Sequence, residues 1–152
     1  MARRQKGLYM TFEENSRLAD AEIRRLAAME KRYREAARER FESRVAYYHS
    51  ITGGNYTSIT VRDQRSRWGS CSSRGTLSFN YRLIFAPAAV LDYVVVHELC
   101  HLTHMNHSAD FWNMVASVMP EYREYRKWLR EHGHELTVEA HMSRLGIPTS
   151  LR

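Results

Sequence analysis

From Phe12 to Tyr48 the chain contains no glycine or proline, and Leu26, Met29, Tyr33, Ala37, Phe41, Val45 and Tyr48 recur at steps of three or four. That spacing draws one apolar stripe along a single long helix. Its second half is expected to pack on the domain. Its first half reads either as a solvated extension or as a partner-binding arm, and the extreme N-terminus is expected to fray. The division that follows is a helical extension over 1–36, a domain over 37–133 and a tail over 134–152.

Thr52-Gly53-Gly54-Asn55 breaks the helical pattern. Alternation from Tyr56 to Val61 predicts a strand. Trp68–Cys71 and Leu77–Tyr81, joined by a turn containing Gly75, predict a hairpin. Three short strands are expected to form a small antiparallel sheet. Pro87 suits the opening of a helix, where its missing N–H costs nothing. Val90–Val96 is apolar enough for either a strand or a buried helix, and the proline start favours the helix. Ser108 is placed to cap a further helix whose stripe is Phe111, Trp112, Val115 and Val118. Tyr122, Tyr125, Trp128 and Leu129 mark a last helix, stopped by Gly133. The fold class expected is α+β, with a long N-terminal helix, a small sheet, a buried middle helix and two C-terminal helices.

A chain of 152 residues, 43% hydrophobic and 26% charged, fits one domain with a core of its own. No apolar run is long enough to span a bilayer, and no apolar segment follows the basic start, so the expectation is a cytoplasmic protein without membrane contact. Cys71 and Cys100 are expected as free thiols in a reducing compartment. The net charge of +6 admits weak binding of nucleic acid or another anion, but solvated helix faces explain it as well.

The chemistry concentrates in His97-Glu98-Leu99-Cys100-His101. Residues four apart share one face of a helix, so His97 and His101 can converge on one ion. Glu98 lies about 100° around the axis from His97. It is placed to reach a water in the metal's open position rather than the metal. Zinc lowers the pKa of such a water from ~16 towards neutrality, and a carboxylate can then take its proton. The pair of histidines with an adjacent glutamate ends an apolar helix, and another histidine-bearing turn follows directly. That context separates a metal site from a pair of core histidines.

These residues lie within longer runs: Arg67-Trp68-Gly69-Ser70-Cys71-Ser72, Leu77–Leu83, Ala86-Pro87, Asp92–Leu102 and Asn106–Trp112. Together they resemble the YgjP-like metal-dependent hydrolases, small zincin-like metallopeptidases distantly similar to SprT-like proteases. The resemblance covers roughly Arg38 to Arg130. It implies a zincin-like fold and a Zn2+ site with His97, His101 and His107 as ligands and Glu98 as catalytic base. Cys100 stands where a small residue is expected and reads as a packing substitution. Helical geometry also favours His107 over His104 as the third ligand. His97 and His104 lie about 10 Å apart along a helix axis, too far to share one ion easily. The chain must therefore turn back, and Asn106 in the left-handed region is the expected pivot. Glu121 and Glu124 are the main competitors.

Nothing in the sequence identifies the substrate. Arg62, Arg65 and Arg67, followed by Arg74 and Arg82, form a cluster that suits phosphate if it faces the metal cleft. A structural pairing with carboxylates is the equal alternative, and Trp68 reads as core. Three functions remain open: a zinc-dependent peptidase acting through a metal-bound water and Glu98, a metal-dependent phosphohydrolase acting on a nucleotide, and a nucleic-acid-binding module with a structural zinc.

Overall fold

The computed structural model describes residues 11–147. The extreme N-terminus and the last residues of the tail, both subjects of expectations above, lie outside the described residues. Helix α1 spans Phe12–Thr52 and opens on a reciprocal cap: Thr11 Oγ1 accepts from the Glu14 amide, and the Glu14 side chain accepts from the Thr11 amide. The predicted stripe is the face that packs. Ala37, Phe41 and Val45 are fully buried, with Leu26, Met29, Tyr33 and Tyr48 half-buried against the core. The first turns stand clear, and Phe12, Leu18 and Ile23 are exposed.

Three strands follow: β1 (Ser58–Arg62), β2 (Gly69–Cys71) and β3 (Thr76–Asn80). The sheet is mixed rather than antiparallel. β2 and β3 form the expected hairpin, but β1 lies on the other side of β3 and runs parallel to it, giving the order β1-β3-β2. Alternation along a strand specifies its faces, not its neighbour, which is why the pairing was not legible. Phe79 of β3 stacks on Phe41 at 4.5 Å between ring centroids, fixing the sheet against α1.

A 3-10 turn at Tyr81–Phe85 leads into α2 (Ala88–Cys100), capped by Pro87. This helix is the centre of the molecule. Every residue from Val90 to Val96 is buried, as are Glu98, Leu99 and Cys100. It packs on α1, on β2 and β3, and on α3 (Ala109–Val118) and α4 (Tyr122–His132). Ser108 caps α3 as expected, its Oγ accepting from the Phe111 amide. Phe111 and Val115 are the buried part of the predicted stripe, with Trp112 and Val118 half-buried.

Near the C-terminus one expectation holds and one changes. α4 ends at Gly133 as expected, but at φ −56 the glycine leads on into a 3-10 turn rather than a left-handed one. Its glycine identity serves packing instead, since a Cβ there would lie 2.6 Å from Trp68 Cζ2. The segment after it is also more than a tail. Leu136, Val138 and Met142 are buried, the last two on a short helix α5 (Val138–Arg144) that reaches α1. Seven residues span about two turns, too short to show a helical period in sequence. No helix among the described residues is long and apolar enough to cross a membrane.

Candidate metal centre

The end of α2 brings three imidazoles together. The Nε2 atoms of His97, His101 and His107 lie 3.1–3.2 Å from one another. Three ring nitrogens cannot all hydrogen-bond to each other at that distance, because each neutral ring offers at most one N–H. Two nitrogens held at 2.0–2.1 Å by one tetrahedral ion sit about 3.3 Å apart, so the spacing fits a shared metal. Among the described residues these three form the group of donors placed to hold one ion.

His101 and His107 are each oriented by what surrounds them. His101 Nδ1 lies 2.9 Å from the carbonyl oxygen of His104. A donated Nδ1–H there leaves Nε2 as the free lone pair facing the cluster. The His101 ring also stacks on Phe111, centroids 4.4 Å apart. The exposed His107 ring lies against Trp112, which in turn stacks on Tyr122. His97 Nδ1 meets the Tyr93 hydroxyl at 3.3 Å, one turn back along α2. Burial, then the neighbouring His101, His107 and Arg126, pushes the His97 imidazole down to about 3, so it stays neutral and able to donate its lone pair.

His104 enters this arrangement through its backbone oxygen and not its ring. The turn that returns His107 also differs from expectation. Among the described residues no non-glycine residue has positive φ, so Asn106 is not left-handed. The helix tightens instead, with Leu102 and Thr103 amides donating three residues back, to Leu99 and Cys100. Glu121 and Glu124 are exposed and outside the cluster.

Glu98 is 4% exposed. Its Oε1 lies 3.8 Å from His97 Nε2, and its buried Oε2 has no hydrogen-bond partner. Burial pushes its carboxyl up to about 8, with Arg67 pulling the other way. A buried carboxylate oxygen without a partner beside three convergent imidazoles fits a group that meets an ion's remaining ligand. Gly69 permits this placement. A Cβ at that position would lie 3.0 Å from Glu98 Cγ and 3.1 Å from Val94 Cγ1.

The cluster opens into a cleft of about 320 Å³ walled by Gly69, Ser70 and Cys71 of β2, together with Arg67 and Met105. A second cavity of about 220 Å³ adjoins it, sharing Arg67, Gly69, His97 and Glu98 and adding Trp68, Tyr93, Leu129 and Arg126. Of the predicted arginine cluster only Arg67 reaches these cavities. Arg62, Arg65 and Arg74 are exposed elsewhere, and Arg82 pairs with Asp63 at 3.2 Å. Trp68 packs on Gly133 while also lining the second cavity. The sequence reading missed Tyr93, although its four-residue spacing from His97 was visible. It also missed Arg126, which the pattern of α4 does not distinguish from its exposed neighbours. Cys100 is fully buried, Cys71 lines the cleft, and both are free thiols.

Residues 3–132 match the family described as YgjP-like, metallopeptidase domain. No curated protein sequence matches the chain. Among solved structures, the metallopeptidase zymogen abylysin of Pyrococcus abyssi aligns at 20% identity with a TM-score of 0.54, covering 72% of this chain and 98% of that one. At that identity the likeness concerns the fold.

Proposed function

The chain belongs to the YgjP-like metallopeptidase family, a family of metal-dependent hydrolases, and from that premise we propose that it is a zinc peptidase with Glu98 as its general base. His97, His101 and His107 would hold the ion. The observation that carries the reading is the convergence of their Nε2 atoms beside a buried, unpartnered Glu98 oxygen in an open cleft. When bound, zinc supplies a Lewis acid that polarises a carbonyl and acidifies water. Glu98 takes the proton of the attacking water and returns it to the leaving amine. A divalent cation beside Glu98 favours its ionised form, opposing the upward push of burial. Tyr93 and the His104 carbonyl hold the rings of His97 and His101 in the orientation that faces their lone pairs inward.

A peptide also suits the wall of the cleft. Among the described residues β2 is an edge strand paired only with β3, so its other edge suits pairing with an extended backbone. The phosphohydrolase reading keeps one of its arginines, Arg67, in the cleft. A structural zinc normally has four protein ligands, and the described residues gather three donors here.

The test is a screen of the zinc-loaded protein against peptides and nucleotides, with Glu98→Gln as control. Peptide cleavage that falls by about 10²–10⁴ in the variant, with zinc retained, is expected. Turnover of nucleotides alone, or an equally active Glu98→Gln protein, would reject the assignment.

A further inference from the structure

We propose that Arg67 and Arg126 form an anion subsite beside the metal centre, so that the substrate carries a carboxylate close to the bond that is cut. This rests on the peptidase reading and adds a substrate class to it. The two guanidinium groups come from different elements, the loop before β2 and the middle of α4, yet both line the 220 Å³ cavity that also exposes His97 and Glu98. Neither makes an ion pair or side-chain hydrogen bond among the described residues, whereas Arg34, Arg44 and Arg82 are engaged by carboxylates.

The loop that carries Arg67 and the side chain of Arg126 are each held. Asn80 is buried, and its Nδ2 donates to the carbonyls of Gln64 at 2.5 Å and Arg67 at 3.2 Å, which pins the loop carrying Arg67. Arg126 lies over the Trp112 ring at 4.6 Å. These contacts fix the backbone from which Arg67 extends and the guanidinium of Arg126, and a carboxylate accepts from such groups in the bidentate manner a neutral group cannot. The remaining walls, Trp68, Val94 and Leu129, are apolar and strengthen such a contact by excluding water. Glu98 is the one carboxylate lining the cavity, and it faces Arg67 without hydrogen-bonding to it. A carboxylate of this kind has two sources in a peptide, the free C-terminus or an acidic side chain.

The test uses calorimetry on the zinc-loaded Glu98→Gln protein, which binds without turnover on the reading above. The probes are one acetylated peptide as free acid, the same peptide as C-terminal amide, the amide with one internal glutamate, and inorganic pyrophosphate. The free acid or the glutamate peptide should bind about tenfold more tightly than the neutral amide. That preference should fall to within about threefold in Arg67→Gln and in Arg126→Gln, whose melting temperatures should match the parent because both side chains are exposed. The better of the two acidic peptides identifies the source. Equal binding of all four probes overturns the subsite. So does a preference that survives both arginine substitutions, since the carboxylate would then sit on the ion. Pyrophosphate binding that exceeds every peptide and is lost in the same variants would keep the subsite and reject the peptidase reading.

Discussion

Two carboxylates lie six residues apart on α2, and their surroundings could hardly differ more. Asp92 is buried and fully engaged: Arg44 donates to both its oxygens at 2.8 Å, and the Tyr48 hydroxyl donates at 3.1 Å. Glu98 is more deeply buried, yet one of its oxygens meets nothing. One end of the helix ties α1 to the core. The other end keeps polar groups unsatisfied and open to a cleft. A buried charge with all its partners holds a structure together, while a buried charge without them is held ready for a ligand or a proton. Burial alone does not separate the two cases.

The open end breaks most completely at its histidines. Zinc content should fall to background in His107→Ala, and turnover with it, while His104→Ala and Glu121→Ala stay near the parent. The opposite ranking in folded proteins, read by elemental analysis, would undo the ligand assignment. The tied end should fail differently. Asp92→Ala strands Arg44 and should cost about 3 kcal/mol of stability, the low end for a buried pair because Arg44 keeps some solvent. Chemical denaturation measures this, and zinc content should be unchanged in the folded protein. If Asp92→Ala loses metal instead, the two ends are not independent.

The next effect sharpens the contrast through pH, in metal-free protein. Folding raises the Glu98 pKa from 4.5 to about 8, so the folded state keeps a proton that the unfolded chain releases, and stability falls as pH rises through that window. His97 acts oppositely. Its pKa drops from 6.5 to about 3, so stability rises with pH between those values. The two slopes oppose each other between pH 4.5 and 6.5, and between pH 6.5 and about 8 the Glu98 loss is left without that opposition. That loss is about 2 kcal/mol and should vanish in Glu98→Gln. A parent protein whose melting point is flat across that window would show that Glu98 is not desolvated. The smallest effect is expected at the thiols: Cys71→Ser with Cys100→Ala should still bind one zinc, since neither sulfur belongs to the cluster. Loss of stoichiometric zinc would point to a thiolate ligand.

Much of this was legible because the relevant groups are set by local periodicity. The stripe from Leu26 to Tyr48, the apolar helix before His97 and the cap at Ser108 all follow from spacing within one element. So does the pairing of His97 with His101. The misses concern relations between elements. Parallel β1, the docked helix α5 and the glycine contact at Trp68 depend on which surface meets which. Arg126 and Tyr93 belong to the cleft because α4 crosses α2, and no run of residues states that crossing. The arginine cluster, left open between the cleft and structural pairing, divides: Arg67 lines the cleft and Arg82 pairs with Asp63.

Gly69 bears on how this cleft can change over generations or at the bench. No side chain larger than hydrogen fits between β2 and α2 without moving Glu98, Val94 or the strand itself, whose near neighbour there is the Ser78 carbonyl, 3.2 Å from where a Cβ would stand. The position therefore couples the width of the groove to the placement of Glu98. Altering what the groove accepts is open at Ser70, Cys71 and Met105, which border the same space. A variant library that leaves position 69 fixed and varies those three should reshape the groove while leaving Glu98 in place.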